Sequence, residues 1–434
     1  MVERNGSITF WSVTRQGLFP ISEAVESVSN TRSTGFCQGA SIILRGGERF
    51  VMRILLIGAG MMGRAIAYDL VRRKEVEEIL IADRDRGKAE EIADWLCDRR
   101  AVPQRLDVSA PRAVREIMEG CTVAISAVPY FFNLSLAEAA VESGVHFCDL
   151  GGNNRIVAAE FALDAKAKEA GVTLIPDCGL APGLVNILAV GAIDGLEPVE
   201  SVEIRVGGLP QKPRPPLDYQ IVFSPHGLLN EYMEPATVIR HGKVAEVPSL
   251  TGWEEMAFVP PYDRLEAFHT SGGSSTLPQT LLGRVHDLNY KTIRYRGHLE
   301  KIKAMADLGF FDEVPQSIGD TEVVPRALAV HLFEEKLAFG EPDVVLLRVT
   351  ARGKKNDRDC VVRYEMVDHY DERTGLSAMM RTTGFPIAQI AFMLASDRIV
   401  KRGALPQESC IPPREFIEGL QERGLAIERS VGEE

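Results

Sequence analysis

The chain has 434 residues, 45% hydrophobic and 25% charged, which suits a globular protein with two domain-sized cores. A net charge of −12 argues against a nucleic-acid footprint and against binding to anionic membranes. Seven cysteines, none spaced C-x-x-C, indicate neither a disulfide framework nor a metal site, and the chain has neither an apolar run of about 18 residues nor a signal-peptide layout, so the expectation is a cytoplasmic protein with no membrane partner.

Residues 1–51 are rich in Ser, Gly and Arg without a sustained period, and read as a leader, disordered or the artefact of a start upstream of Met52. From Met52 short apolar strands alternate with amphipathic helices: RILLIG, a helix over 61–73, EILIA, a helix over 86–99, CTVAISA, a helix over 134–143, VHFCDL, a helix through 158–170, and VTLIPD. This alternation predicts an α/β fold, a Rossmann doubly wound parallel sheet over residues 52–178. Beyond Gly179, Gly- and Pro-rich loops interleave with period-two strands such as Val202, Ile204 and Val206, and VVLLRVTARG and CVVRYEMVDHY flank a polar turn as in a hairpin. Residues 179–381 are therefore expected to form a second α+β domain with a mixed or antiparallel sheet, and residues 382–434 a helical segment returning to the first.

The first strand runs into Gly58-Ala59-Gly60-Met61-Met62-Gly63, followed by a helix and, 20 residues past Gly63, by Asp83 at the end of the second strand. In this pattern one glycine permits the turn, one lets the backbone approach a pyrophosphate, and one lets helix pack on strand, while the helix N-terminus faces the phosphates. Asp83 would accept the adenosine ribose hydroxyls and repel a 2′-phosphate, which favours NAD, although Arg84 beside it could accommodate that phosphate. Ligands of open parallel sheets bind at the carboxyl ends of strands, so Ser126, Ala127 and Val128 and, on the next strand, Leu150 and Gly151 are expected along the cofactor. Asp107 either reaches the adenine or is a turn residue.

The pieces SAVPY, CDLGG, IPDCGLAPG, VGGLP and TIRYRGH, in this order, together resemble the saccharopine dehydrogenase family, and most closely its lysine 6-dehydrogenase branch. The resemblance runs from Met52 almost to the C-terminus and is densest over residues 265–303. It implies a substrate-binding and dimerising second domain, and NAD-dependent oxidation of the lysine ε-carbon to 2-aminoadipate 6-semialdehyde with ammonia released. Where the saccharopine-forming branch is similar to G-L-D-P-G this chain has Ala181, and where that branch has an arginine in S-S-R-G this chain has His226. Saccharopine carries additional carboxylates that ask for a further cation, so free lysine is the better substrate. Saccharopine or carboxynorspermidine dehydrogenase is the alternative, and a cofactor-binding regulatory protein without turnover the third. The partners expected are a small amino acid and further copies of the chain, as a homodimer or larger homo-oligomer.

Oxidising a carbon that bears an amine needs that amine neutral, and the free ε-ammonium has a pKa of about 10.4, so a base or desolvation is required. Candidate bases are Tyr130, Asp149, Asp177, His226, His269 and His298. Arg296 is read as a clamp on the substrate carboxylate with His298 as base beside it; the alternative is an Arg paired with an acid and a satisfied core histidine. Thr270 and Ser271 would bind carboxylate or amine, or form a plain turn, and Tyr219 would line the lysine methylenes or belong to the sheet. Cys178 reads as a buried small hydrophobe in preference to a nucleophile.

Overall fold

A segment apolar at nearly every position, as Met52–Ile57 is, can be covered on both faces only inside a parallel sheet, and the computed structural model places it there. The structure describes residues 11–14, 17–20, 44–45, 48–49 and 52–433. Residues 1–50 and 51–434 form two units. In the first, Trp11–Thr14 pairs antiparallel with Gly17–Pro20, and Leu44–Arg45 with Glu48–Arg49; the rest of the expected leader lies outside the described residues.

In the second unit β1 (Met52–Ile57), α1 (Met61–Val71), β2 (Val76–Asp83), α2 (Arg86–Leu96), β3 (Ala101–Arg105), α3 (Pro111–Met118), β4 (Val123–Ser126), α4 (Asn133–Ser143), β5 (His146–Asp149), α5 (Asn154–Phe161), α6 (Asp164–Glu169) and β6 (Thr173–Ile175) follow one another. The strands pair in parallel in the order β3-β2-β1-β4-β5-β6, so the order reverses between β1 and β4, and the crevice at their carboxyl ends opens there. The helix expected through 158–170 is two helices. Asn153 caps the first by accepting from the N–H groups of Arg155 and Ile156, and an N–H of Leu163 bonding back only to Glu160 O ends it and turns Leu163 and Ala167 into the core.

The apolar helix α7 (Leu184–Ile193) leads to β7 (Val199–Pro210), α8 (Pro225–Met233), β8 (Ala236–Arg240), β9 (Lys243–Val247), β10 (Glu254–Met256), β11 (Leu265–Phe268), α9 (Leu277–Thr280), β12 (Val285–Tyr295), α10 (His298–Asp307), α11 (Pro325–Leu337), β13 (Asp343–Lys355) and β14 (Arg358–His369). These build a mixed sheet in the order β9-β8-β12-β7-β13-β14, with β11 on β12 and β10 on β11; only β7 and β12 run parallel among its pairs. The expected hairpin is β13–β14, closed by Asn356 and Asp357, both at positive φ, the two-residue turn whose twist matches its strands.

The C-terminal segment divides between the sheets. Helix α12 (Ala378–Ala395) packs on α1, where a Cβ on Gly384 would stand 2.8 Å from that of Ala65, and β15 (Gly403–Ala404) extends the first sheet beside β6. The final strand β16 (Glu428–Gly432) instead joins β14 of the second sheet. No helix of the described residues is long and apolar enough to cross a membrane.

Candidate active site

The turn after β1 is shaped by contact. Gly58 sits at φ +112° and gives its N–H to Ala82 O at 2.7 Å; a Cβ there would stand 2.6 Å from Ala127 O, and a Cβ on Gly63 would overlap the Gly58 carbonyl oxygen. A Cβ on Gly60 would meet nothing within 4 Å, and no side chain caps α1, so the first-turn N–H groups behind exposed Met61 and half-buried Met62 face open space. Such a site takes phosphate. Asp83 braces it: Oδ2 accepts from Ala59 N–H at 2.8 Å and Oδ1 from Asp85 N–H at 2.9 Å. These residues fit a dinucleotide.

Around that turn, Arg84 is exposed and stands with Arg105 in electrostatic reach of Asp107. Asp107 accepts from the N–H and hydroxyl of Ser109, the bonding of the turn-residue alternative. Ser126 points inward, its hydroxyl donating to Asn133 at 2.8 Å, so it can face a cofactor only through its backbone; Ala127 and Val128 form the wall under Gly58. Leu150 and Gly151 are half-buried at the rim, and exposed Tyr130 packs its ring on Gly152.

At the ends of β5 and β6 stand carboxyls without a cation among the described residues. Asp149 is fully buried; its Oδ1 accepts from Gly151 N–H at 2.6 Å, and burial pushes its pKa up. Glu160, from α5, touches it and is also pushed up by burial. Burial raises Asp177 to about 7, and its carboxylate packs against Gly151 and accepts the Ser275 hydroxyl. Both Asp177 and Ser275 adopt positive φ, +62° and +43°. Two non-glycine residues held in this conformation and bonded to each other mark strain of the kind found at functional sites.

A complementary group lies on β12. Arg294 is only 3% exposed, donates from Nε to the Tyr232 hydroxyl at 3.1 Å and from Nη1 to Ile293 O at 2.9 Å, and stands over the ring of Tyr219 at 4.7 Å. No ion pair is among its described contacts, whereas Arg205 and Lys291 share Glu254. Glu231, half-buried on α8, stands in electrostatic reach and is raised by burial to about 7. Nearby, the hydroxyls of Tyr219 and Thr270 are buried with no partner. A buried cation with no ion pair among the described residues, beside orphaned hydroxyls, is a site that can take an anion. The loop from Thr270 joins both clusters: Ser271 N–H bonds to Glu231 O at 2.9 Å, its hydroxyl to Asn230 O at 3.3 Å, and Ser275 reaches Asp177.

Several sequence-based expectations change. His298 is 1% exposed, with Nδ1 on Leu217 O at 2.9 Å and Nε2 on the Tyr232 hydroxyl at 3.0 Å; burial lowers its pKa to about 3. With both nitrogens engaged it is a structural histidine that holds Tyr232, not a free base. Arg296 has a half-exposed side chain paired with Glu255 at 3.3 Å because it lies past the end of β12, so the buried guanidinium is that of Arg294. His226 is exposed on α8, its carbonyl accepting from Arg326. His269 is buried, bonded to Tyr290 O and lowered by burial to about 4. The Cys178 thiol, by contrast, is buried as expected, donates to Ile175 O and is pushed up by desolvation. Among the described residues, His241, His286 and Asp287 bring atoms of metal-ligating type within 4.8 Å of one another near the surface.

Sequence reasoning missed Arg294, Glu231, Glu160 and Ser275. Arg294 had a signal, a charged residue at period two with Tyr290 and Thr292 in a strand buried on both faces. Glu160 had none, since on a helix it reads as a solvent-facing acid.

The family model described as saccharopine dehydrogenase NADP binding domain matches residues 54–175, and that described as saccharopine dehydrogenase C-terminal domain matches residues 179–425. Saccharopine dehydrogenase [NADP(+), L-glutamate-forming] of Schizosaccharomyces pombe is 26% identical over 271 residues, 61% of this chain and 59% of that protein. Carboxynorspermidine synthase of Vibrio alginolyticus is 23% identical over 86% of this chain and 96% of its own length. The chain spans 59% and 65% of the first two curated relatives it matches and 28% of the mouse mitochondrial alpha-aminoadipic semialdehyde synthase. Among solved structures, apo histidine-tagged saccharopine dehydrogenase (L-Glu forming) from Saccharomyces cerevisiae superposes with a TM-score of 0.73 at 19% identity, covering 88% of this chain and all of that one.

Proposed function

This chain belongs to the saccharopine dehydrogenase family, and from that premise we propose that it oxidises free L-lysine at the ε-carbon with NAD, releasing ammonia and leaving 2-aminoadipate 6-semialdehyde, which cyclises to piperideine-6-carboxylate. The observation that carries this is the charge separation of the site. Arg294 is a buried guanidinium with no ion pair among the described residues, Glu231 standing only within electrostatic reach, and the carboxyls of Asp149 and Asp177 at the ends of β5 and β6 have no cation among the described residues. A diamino acid carries the complementary charges, a carboxylate at one end and an ammonium at the other.

In this reading Arg294, with the Tyr219 and Thr270 hydroxyls, takes the α-carboxylate, and Glu231 faces the α-ammonium. Asp177, oriented by Ser275, takes a proton from the ε-ammonium and leaves the neutral amine that oxidation requires. NAD, held at Gly58–Gly63 with Asp83 on its ribose, supplies the hydride acceptor. Water then adds to the oxidised carbon and ammonia departs, so that lysine, oxidised cofactor and water yield aldehyde, reduced cofactor, ammonium and one proton.

Imine reduction with NADPH, as in saccharopine or carboxynorspermidine formation, is favoured by a different observation: Arg84 and Arg105 flank Asp107 where a 2′-phosphate could lie. Purified protein incubated with NAD or NADP and lysine, ornithine, saccharopine or glutamate separates the two. Reduced cofactor from lysine alone, with ammonia, is the expected result; turnover of saccharopine but not of lysine overturns it.

A further inference from the structure

Helix α5 carries an acid on its buried side. Glu160 is 1% exposed, on the last turn of Asn154–Phe161, with its carboxyl against Asp149. Neither oxygen of Glu160 nor Oδ2 of Asp149 meets a hydrogen-bond donor, although all three atoms are removed from solvent. Oδ1 of Asp149, by contrast, accepts the N–H groups of Gly151 and Asp177 at 2.6 and 3.5 Å.

The titratable groups facing the pair are Asp177, the thiols of Cys148 and Cys178 and, through Asp177, Glu408. All are acids. Two ionised carboxylates in contact, buried and without a cation, carry both mutual repulsion and an unrelieved desolvation penalty. One proton between them removes the repulsion and joins one Glu160 oxygen to Asp149 Oδ2 in a hydrogen bond, leaving the other Glu160 oxygen the carbonyl of a neutral acid.

We propose that Glu160 is a positioning residue that acts through Asp149: it keeps its proton at neutral pH and donates it in a hydrogen bond to Asp149 Oδ2, holding that carboxylate ionised and aimed at the crevice for a primary ammonium. The proton stays between the two carboxyls, and the proton lost by the ammonium goes to Asp177. This role rests on the amine-oxidation reading above, but the state of the pair does not, because it exists without any ligand.

Infrared spectra of the ligand-free chain at pH 8 read that proton, since a protonated carboxyl has a carbonyl stretch distinct from that of a carboxylate. The band is expected in the wild type and absent in Glu160→Gln. A wild type without it, or a Glu160→Gln variant that keeps it, overturns the proposal whatever the substrate. The acidic limb of kcat/KM for lysine tests the coupling. Glu160→Gln, whose amide still donates to Asp149, is expected to keep the wild-type limb. Glu160→Leu removes the donor and is expected to move the limb to higher pH by about one unit, or about tenfold in kcat/KM below it. A folded Leu variant with an unshifted limb, or with a loss that is the same at every pH, also overturns it. Absence of lysine turnover in the wild type refutes the lysine assignment and leaves the infrared result to decide the pair.

Discussion

Replacing Arg294 with methionine removes the guanidinium while keeping an unbranched chain between the ring of Tyr219 and the hydroxyl of Tyr232. The fold should persist. Tyr232 still donates to His298 Nε2 at 3.0 Å, so the variant leaves no orphan there, and a cost of about 2 kcal/mol for the two lost hydrogen bonds, to Tyr232 and to Ile293 O, is expected in thermal unfolding. Binding should lose as much or more, because a charge-assisted hydrogen bond to a carboxylate contributes about 1.5–3 kcal/mol and the site offers no other buried cation to substitute. That range corresponds to roughly a ten- to hundredfold rise in KM for lysine. The assay compares lysine with 1,5-diaminopentane, which lacks the α-carboxylate. The wild type should prefer lysine strongly, and Arg294→Met should lose most of that preference while treating the diamine as before. Equal losses on both substrates, or an unchanged KM for lysine, would refute the assignment of the carboxylate to Arg294. Arg296→Ala is the control: its ion pair with Glu255 is exposed, and such pairs contribute little, so kinetics and stability should stay near wild type.

Asp177→Asn should abolish lysine oxidation yet raise stability at pH 8. Because the folded pKa of Asp177, about 7, lies above its ordinary 3.8, its contribution is fully present below pH 4 and is lost as pH rises through 7; the variant's advantage, on the order of 4 kcal/mol, should appear in melts at pH 8 and vanish near pH 4. For the wild type the ionisations of Asp177, at about 7, and of Asp149, at about 6, together set the acidic limb of kcat/KM, and a profile flat down to pH 5 would exclude Asp177 as the base. His298→Asn should lower the melting temperature by several degrees, through the lost Tyr232 bond, and leave that limb in place. Gly63→Ala should abolish measurable NADH binding by calorimetry, since its Cβ would overlap the backbone oxygen of Gly58, which cannot move without opening the turn. Asp83→Ser should shift preference from NAD toward NADP in paired KM measurements.

The parallel sheet, the glycine turn and Asp83 were legible because each depends on local rules. A strand covered on both faces must be apolar throughout, a backbone that approaches phosphate must lack side chains, and the acid follows one βα unit later. The hairpin at Asn356 and Asp357 was legible for the same reason, since two residues at positive φ have few alternatives. Helix breaks were not. The split at Leu163 involves no glycine or proline and arises from burying Leu163 and Ala167 on the sheet.

The composition of the site belonged to the tertiary structure. Arg294 and Arg296 share a motif and a face of the strand by spacing, yet the second lies beyond the end of β12, where the chain turns toward solvent and Glu255, while the first is sealed beneath Tyr219 and Tyr232. His298 looked available for acid–base chemistry until Leu217 and Tyr232 were seen to occupy both nitrogens. Glu160, Asp177 and Ser275 are brought to Asp149 only when α5, β6 and the loop from Thr270 converge. A sequence shows which residues can ionise; which of them are buried with a partner, and which without, depends on contacts between segments a hundred residues apart.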